Sequence, residues 1–274
     1  MNHKIYFLVI SFIAFGNFSF AQTAYITNSA DNTVSVINVA TNSVINTINV
    51  GNSPDGVSVS ANGTKVYITN RRNNTVSIIE TSSNTVTNVI PVDDLPMSIF
   101  PNFDGSKIYV SNLGSNTINV INTTTNNITA TIPVFNDPRQ IVMSPDGTKL
   151  YVVGGYNSVG VINTITDSLI TYISLGTNTS PQGVAISPDG SKLYITTFET
   201  HNLTVVDTAT NMVTTTIPLG DSPHGIVITP DGNKLYVSNV YDNTISVINT
   251  ATNTVTATIP AGNHPLREPS PVCN

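Results

Sequence analysis

Six tyrosines recur at an almost constant spacing, and this repeat limits the fold more than any other feature of the chain. They are Tyr25, Tyr67, Tyr109, Tyr151, Tyr194 and Tyr236. Successive tyrosines are 42 residues apart, except for one interval of 43. A period of roughly 20 to 50 residues is typical of proteins that stack copies of one supersecondary unit. The sequence therefore predicts a repeat protein with six copies of that unit.

One copy of the repeat predicts four short strands joined by tight turns. In the last copy the predicted strands cover 225–229, 234–238, 244–249 and 255–259. Pro230-Asp231-Gly232 predicts a turn after the first strand, because proline presets a turn φ and glycine accepts a positive φ. Four strands joined by hairpins form an antiparallel meander, which is stable only when it stacks on further copies. Stacking around an axis gives a β-propeller.

The composition favours an all-β fold and excludes two competing repeat classes. The chain contains 35 Asn and 39 Thr among 274 residues, and both residue types disfavour helices. Helical repeats of similar length are therefore excluded. The WD repeat has a comparable length, but the chain contains no Trp. We expect an all-β propeller of six four-stranded antiparallel blades.

The first blade is expected to lack its innermost strand, because Tyr25 already marks a second strand. The Pro-rich tail, residues 263–274, restarts the pattern that precedes each first strand and is the predicted closing strand. Pro269 and Pro271 lack the N–H groups that a strand ladder requires. The sequence therefore predicts six blades with weak closure. The alternative is an incomplete seven-bladed propeller.

The recurring phrases resemble the YVTN family of β-propeller repeats. Tyr-(Val/Ile)-(Thr/Ser)-Asn occurs, for example, at Tyr67 and Tyr236, and Ser-Pro-Asp-Gly-(Thr/Ser)-Lys-Leu-Tyr ends at Tyr151 and at Tyr194. The resemblance covers residues 24–262. It implies a secreted or surface-displayed propeller, often with seven blades. It also implies a non-enzymatic protein, since most members of that family have no assigned catalytic activity.

The beginning of the chain predicts secretion to the periplasm or the cell exterior. Residues 1–21 combine a positive start, an apolar run and small residues before a cleavage position, as in a secretory signal peptide. The apolar run is too short for a membrane span, so we expect none in the mature chain. The propeller domain is predicted to cover residues 22–262.

Charge and cysteine content exclude further classes of protein. The formal net charge is −6, and the chain has no basic run, so a nucleic acid partner is not expected. Cys273 is the only cysteine, so an intramolecular disulfide is excluded and the core must hold the fold. Neither a nucleophile elbow nor a phosphate-binding glycine loop is present, and we predict no cofactor. We expect a monomer.

Comparing equivalent positions of the repeats separates structural residues from candidate functional residues. The tyrosines and the Asp of each Pro-Asp-Gly turn recur from copy to copy, so packing and turn geometry explain them. The loops that enter the first strands vary, as do the turns between second and third strands, and both sets are expected on one face. The predicted ligand-binding residues there are Asp55, Arg71, Arg139, Tyr156, Gln182, Glu199, His224 and Tyr241.

These residues predict a non-enzymatic binding or scaffold module whose ligand lies at the loop face around the central channel. The expected partner is a surface protein or a glycan. One alternative is a metal-assisted, lactonase-like hydrolase at the channel mouth, which requires Asp55, Glu199 and His224 to converge. Another alternative is a structural cell-surface or adhesion module, which an exposed apolar patch would favour. We predict neither a catalytic residue nor a metal site.

Overall fold

The computed structural model describes residues 23–265, which form six antiparallel sheets and contain no helix. Five sheets have four strands and the first has three. The predicted six-bladed propeller is therefore confirmed, as is the missing innermost strand of blade 1. The predicted signal peptide, 1–21, and the part of the predicted closing strand that follows Pro265 lie outside the described residues. The described residues provide no helix that could cross a membrane.

The first three blades cover the first half of the described chain. Blade 1 contains β1 (Thr23–Asn28), β2 (Thr33–Asn38) and β3 (Ser43–Asn49). Blade 2 contains β4 (Pro54–Val59), β5 (Lys65–Asn70), β6 (Thr75–Glu80) and β7 (Thr85–Pro91). Blade 3 contains β8 (Pro96–Pro101), β9 (Lys107–Asn112), β10 (Thr117–Asn122) and β11 (Asn127–Pro133). The strands of each sheet are ordered as in the sequence, and the first strands of consecutive blades contact one another.

The last three blades repeat the same meander. Blade 4 contains β12 (Pro138–Met143), β13 (Lys149–Gly154), β14 (Ser158–Asn163) and β15 (Ser168–Ser174). Blade 5 contains β16 (Pro181–Ile186), β17 (Lys192–Thr197), β18 (Asn202–Asp207) and β19 (Met212–Pro218). Blade 6 contains β20 (Pro223–Ile228), β21 (Lys234–Asn239), β22 (Thr244–Asn249) and β23 (Thr254–Pro260). The four strands of blade 6 match the predicted ones to within two residues at each end.

Hydrophobic side chains fill the seams between neighbouring blades. Each seam packs the tyrosine-bearing face of one blade against the opposite face of the next blade. Between blades 3 and 4, Tyr109, Ile118 and Ile132 pack with Leu150 and Val152. Five such clusters join the six blades in sequence. Burial of apolar surface, at about 25 cal/mol per Å², is therefore repeated five times along the chain.

The recurrent tyrosines are packing residues, as predicted. Five of them are at most 7% exposed, namely Tyr25, Tyr67, Tyr109, Tyr151 and Tyr194. The hydroxyl of Tyr109 donates a hydrogen bond to Asp167 Oδ1 of blade 4 at 2.9 Å. Burial, followed by the hydrogen bond to this carboxylate, raises the pKa of Tyr109. Tyr236 of blade 6 differs, because it is only partly buried.

In the part of the chain that the structure describes, the two end blades lack the cover that the inner blades give one another. Ile259 is 44% exposed, whereas its counterparts Ile132 and Ile217 are each 4% exposed. Within residues 23–265, no cluster of buried side chains joins blade 6 to blade 1. We call these uncovered surfaces the end faces. They comprise Tyr236, Ile245 and Ile259 in blade 6 and Ile26 and Ile37 in blade 1.

Candidate functional site

The loops that enter the innermost strands lie beside the turns between second and third strands. In blade 2 the Arg71 N–H donates to the Ser53 carbonyl at 3.0 Å, and in blade 6 the Val240 N–H donates to the Ser222 carbonyl at 3.1 Å. The same backbone contact recurs in blades 3, 4 and 5. Both sets of variable loops therefore lie on one face of the propeller, as expected. We call it the loop face.

In every blade but the fifth, an asparagine in this turn clamps the entry loop that follows. Asn32 Oδ1 accepts the Ser53 N–H at 2.9 Å, and Asn74 Oδ1 accepts the Leu95 N–H at 3.0 Å. Asn32 and Asn74 have positive φ angles of 58° and 55°, a conformation that asparagine adopts more readily than most residues. The repeated asparagines at these positions thus hold the loop face together.

His201 replaces this asparagine in blade 5. Its Nδ1 accepts the Ser222 N–H at 3.0 Å, its φ is 52°, and Asp221 Oδ1 lies 3.2 Å from the same nitrogen. His201 is therefore a loop clamp. It lies in one of the turns that differ between copies of the repeat.

The residues that follow the loop prolines begin the innermost strands, and we call them the channel mouth. They are Asp55, Met97, Arg139, Gln182 and His224. Hydroxyl groups of the preceding blade hold four of their backbone carbonyls. Thr69 Oγ1 donates to the Met97 carbonyl at 2.8 Å, and Ser111 Oγ donates to the Arg139 carbonyl at 2.6 Å. Thr27 and Thr196 do the same for Asp55 and His224.

Gln182 is the exception at the channel mouth. Val153 stands where the other blades have Thr or Ser, so no hydroxyl holds the Gln182 carbonyl there. Gln182 is only 7% exposed, and its Nε2 donates to the Ser180 carbonyl at 3.3 Å and to Ser180 Oγ at 3.1 Å. The side chain that we predicted to bind ligand therefore bonds to its own loop. By contrast, Asp55, Arg139 and His224 are partly exposed.

The remaining predicted residues lie in the turns of the loop face. Tyr156 is 74% exposed and Tyr241 is 51% exposed, Glu199 is exposed, and Arg71 is partly buried. The Tyr241 ring meets the rings of Phe198 at 6.1 Å and His264 at 6.0 Å, both near edge-on. This three-ring cluster was not predicted. Its only sequence signal is that the three rings occupy neighbouring loops.

The three residues that the alternative of a metal-assisted hydrolase requires do not converge. Among residues 23–265, no three His, Cys, Asp or Glu side chains lie close enough together to hold one metal ion. Asp55, Glu199 and His224 therefore do not form a shared metal shell. The reason is their placement, because Asp55 and His224 begin the innermost strands of blades 2 and 6, while Glu199 lies in a turn of blade 5.

The opposite face of the propeller carries the Pro-Asp-Gly turns, and these are structural, as predicted. Asp189 Oδ1 accepts hydrogen bonds from the Ser187 hydroxyl at 2.5 Å and from the Ser191 N–H at 3.0 Å. These bonds favour the charged carboxylate and lower the pKa of Asp189 to about 2. Asp146 and Asp231 make the same bonds, and the pKa of each is also lowered.

Comparison with known proteins gives a family match over part of the chain and a shared fold. Residues 55–165 match the family model of the YNCE-like beta-propeller. This match confirms the resemblance of the repeats to YVTN-type propellers. Searching the curated proteins gives no match. A solved structure titled Kuenenia stuttgartiensis Hydrazine Synthase superposes with a TM-score of 0.82 at 23% identity, covering 89% of this chain and 84% of that chain. At this identity the two proteins share a fold.

Proposed function

We propose that this protein is a secreted or surface-associated propeller that binds another molecule at its loop face and catalyses no reaction. The observation that carries the proposal is the backbone arrangement at the channel mouth. There one hydroxyl-to-carbonyl bond repeats in four blades, while the side chains on the held backbone differ. A fixed backbone with varied side chains is preorganised for recognition, because little ordering is required on binding.

The composition of the loop face suggests a surface protein or a glycan as the partner. Asp55, Arg139 and His224 offer hydrogen-bonding and charged groups of both signs. Tyr156 and Tyr241 add exposed rings with a polar end. Aromatic and Arg side chains are enriched where proteins bind partners. The absence of a basic patch from the sequence argues against nucleic acid.

A triple substitution tests the proposal directly. We would screen the full chain against an array of defined glycans and against purified surface proteins of the source cell. We would then repeat the positive measurements with Arg139→Ala, Gln182→Ala and His224→Ala combined. Binding should fall at least tenfold, because truncating a few central contacts usually costs more than about 1.4 kcal/mol.

The matched control lies on the opposite face. Lys149→Ala, Lys192→Ala and Lys234→Ala combined remove three charges at equivalent positions of β13, β17 and β21. This control should leave binding within twofold. If both triple variants bind like the unchanged protein, the loop face is not the binding surface. If the control loses binding and the first variant does not, the ligand lies on the opposite face.

A structural cell-surface role is the second candidate, and the end faces favour it. The tyrosine-bearing face of blade 6 carries the repeat positions that pack against the next blade at every seam. Blade 1 of a second copy has the matching opposite face, so two copies could pack against each other there. Such contact between copies would be heterologous. Sedimentation over a range of concentrations tests it, with Ile259→Asp as the variant. A monomer at all concentrations would remove this candidate.

A further inference from the structure

A polar cleft opens between blades 5 and 6, beside the loop face. Its volume is about 390 Å³, and Leu219 and Gly220 of blade 5 form one wall. Asn239, Thr244 and Ser246 of blade 6 form the other wall. The channel-mouth residues do not line this cleft, so it is distinct from the proposed loop-face site.

Two hydroxyl groups in the cleft are set to donate. The Asn239 Nδ2 group donates to Thr244 Oγ1 and to Ser246 Oγ, both at 2.9 Å. An oxygen that accepts from an amide keeps its own proton for another acceptor. Asn239 is fully buried and Ser246 is 2% exposed, so the walls hold this arrangement rigidly. The cleft therefore has two O–H donors side by side, with Thr244 partly exposed and Ser246 deeper in the wall.

Blade 3 shows what such a pair of groups binds. There the side chain of Asp93 occupies the equivalent cleft, since Asp93 follows Val92 as Gly220 follows Leu219. Its Oδ2 accepts from Thr117 Oγ1 at 2.6 Å and from Asn119 Nδ2 at 3.1 Å. The chain thus places an oxygen acceptor of its own against the donors of blade 3.

Blade 4 fills the equivalent cleft with an apolar side chain. Phe135 lies against Gly154 and Gly160, and its ring is 5.7 Å from that of Tyr172. Gly220 of blade 5 has no side chain that could fill the equivalent cleft beside blade 6. A Cβ built there would lie 2.5 Å from Asp242 Oδ2 and 2.8 Å from Asn239 Cγ, so glycine is required by the local backbone. The donors of blade 6 consequently face an unfilled cleft.

The mouth of this cleft adds acceptors and a negative potential. Asp242 lines it, and its Oδ2 accepts the Asp221 N–H at 2.7 Å. Both carboxylates are exposed, and no Lys or Arg lines the cleft. Like charges repel, so an anionic ligand is disfavoured. Leu219 and Val255 add apolar contact surface.

We propose that the cleft at Gly220 binds one neutral sugar unit. A sugar ring oxygen or hydroxyl oxygen accepts from Thr244 and Ser246, a sugar hydroxyl donates to Asp242, and the C–H face of the ring packs on Leu219 and Val255. The site needs none of the channel-mouth residues.

Saturation-transfer NMR and calorimetry on the full chain test this assignment. The probes are the methyl glycosides of glucose, galactose, mannose and N-acetylglucosamine, each up to about 10 mM, where weak sites with millimolar Kd are still measurable. At least one should bind. Thr244→Val combined with Ser246→Ala removes both O–H donors and keeps the shape, and it should weaken binding at least tenfold.

The matched control lies in blade 3, whose equivalent cleft is already filled by Asp93. Thr117→Val removes the hydroxyl that donates to Asp93 Oδ2 and leaves the cleft at Gly220 untouched. Binding should stay within twofold. A loss in this control as large as that in the double variant would overturn the assignment, as would a preference for glucuronate over the neutral sugars.

A third variant works by filling the cleft. Gly220→Asp introduces the side chain that blade 3 carries at this position and should abolish binding. Circular dichroism checks its fold, and the double variant decides the question if this one does not fold. The channel-mouth triple variant should bind the sugar normally. If that variant loses the sugar, the ligand sits at the channel mouth and the cleft assignment is wrong, although the proposed loop-face function stands.

Discussion

The seams between blades and the end faces contain hydrophobic residues at the same repeat positions, but these residues differ in solvent exposure. Ile132 and Ile217 are 4% exposed inside seams, whereas Ile259 is 44% exposed at the equivalent position of blade 6. Tyr109 is fully buried, and Tyr236 is only partly buried. The local sequence is almost unchanged, so the difference comes from the neighbouring blade. In a repeat protein, the stabilising free energy resides largely in the interfaces.

The largest expected effect is the loss of a buried seam side chain. Ile217→Ala should lower the free energy of unfolding by about 2 to 4 kcal/mol, because it leaves a cavity between blades 5 and 6. Ile259→Ala should cost about 1 kcal/mol or less, since much of that side chain is already in water. Urea denaturation of both variants measures the difference. Equal losses would mean that the end face of blade 6 is covered in solution.

A second comparison measures the contribution of one tyrosine hydroxyl group, inside a seam and at an end face. Tyr109→Phe should cost about 1 to 2 kcal/mol, because the buried hydroxyl donates to the carboxylate of Asp167, which also pairs with Lys107 at 2.7 Å. Tyr236→Phe should cost less, since no hydrogen bond of its hydroxyl joins two blades among the described residues. Thermal unfolding with matched buffers measures both. A larger loss for Tyr236→Phe would show that blade 6 has a neighbour.

Substitution of His201, the loop clamp of blade 5, tests whether the loops couple neighbouring blades. His201→Ala should cost about 1 kcal/mol, because the Ser222 N–H loses its acceptor. His201→Asn restores the residue that the other blades use at this positive φ and should be neutral or stabilising by a few tenths of a kcal/mol. Denaturation midpoints of the two variants provide the measurement. Destabilisation by His201→Asn as large as that by His201→Ala would contradict the clamp.

The smallest effect concerns the turns of the opposite face, which need no neighbouring blade. The folded-state pKa of Asp189 is lowered to about 2, so its charged form stabilises the fold at higher pH. That contribution is lost as the pH falls from about 4 to 2. Asp189 is exposed, so we expect less than about 1 kcal/mol. Asp189→Asn should flatten the stability profile in this pH range.

Asp231 in blade 6 serves as the comparison for that measurement. Its pKa is lowered by the same kinds of hydrogen bonds, from Thr229 and Asn233. Asp231→Asn should therefore change the acid profile in the same direction, although blade 6 lies at the end of the propeller. If only the variant in blade 5 shows the change, these turns depend on neighbouring blades after all.

The sequence predicts most of the fold because the repeat reports local structure six times. The Pro-Asp-Gly turns and the alternating strands predict each meander, and the absence of a strand before Tyr25 predicts a three-stranded blade 1. The sequence predicts weak closure, but pattern alone does not give the exposure of each residue on the end faces. Ile259 lies in the same local sequence as Ile217, and only the presence of a packed neighbour separates them.

The candidate site was predicted less completely. Comparison of equivalent positions in the six repeats identified the loop face, because variation between repeats is visible in a single sequence. It could not show that the Gln182 amide bonds to Ser180, or that His201 replaces a structural asparagine. It also gave no reason to single out Gly220. The missing side chain there becomes informative only when the structure shows that Asp93 and Phe135 fill the equivalent clefts. These failures share a cause, because each depends on a three-dimensional partner.

The hydroxyl-to-carbonyl bonds at the channel mouth have an evolutionary consequence. They use backbone atoms that every amino acid possesses, so the identity of the side chain there is uncoupled from the bond that holds it. Exchanging Asp55, Arg139 or His224, one blade at a time, therefore leaves that bond available. This ring is a natural place for a lineage to acquire new recognition, and for an engineer to randomise residues in search of a chosen binder.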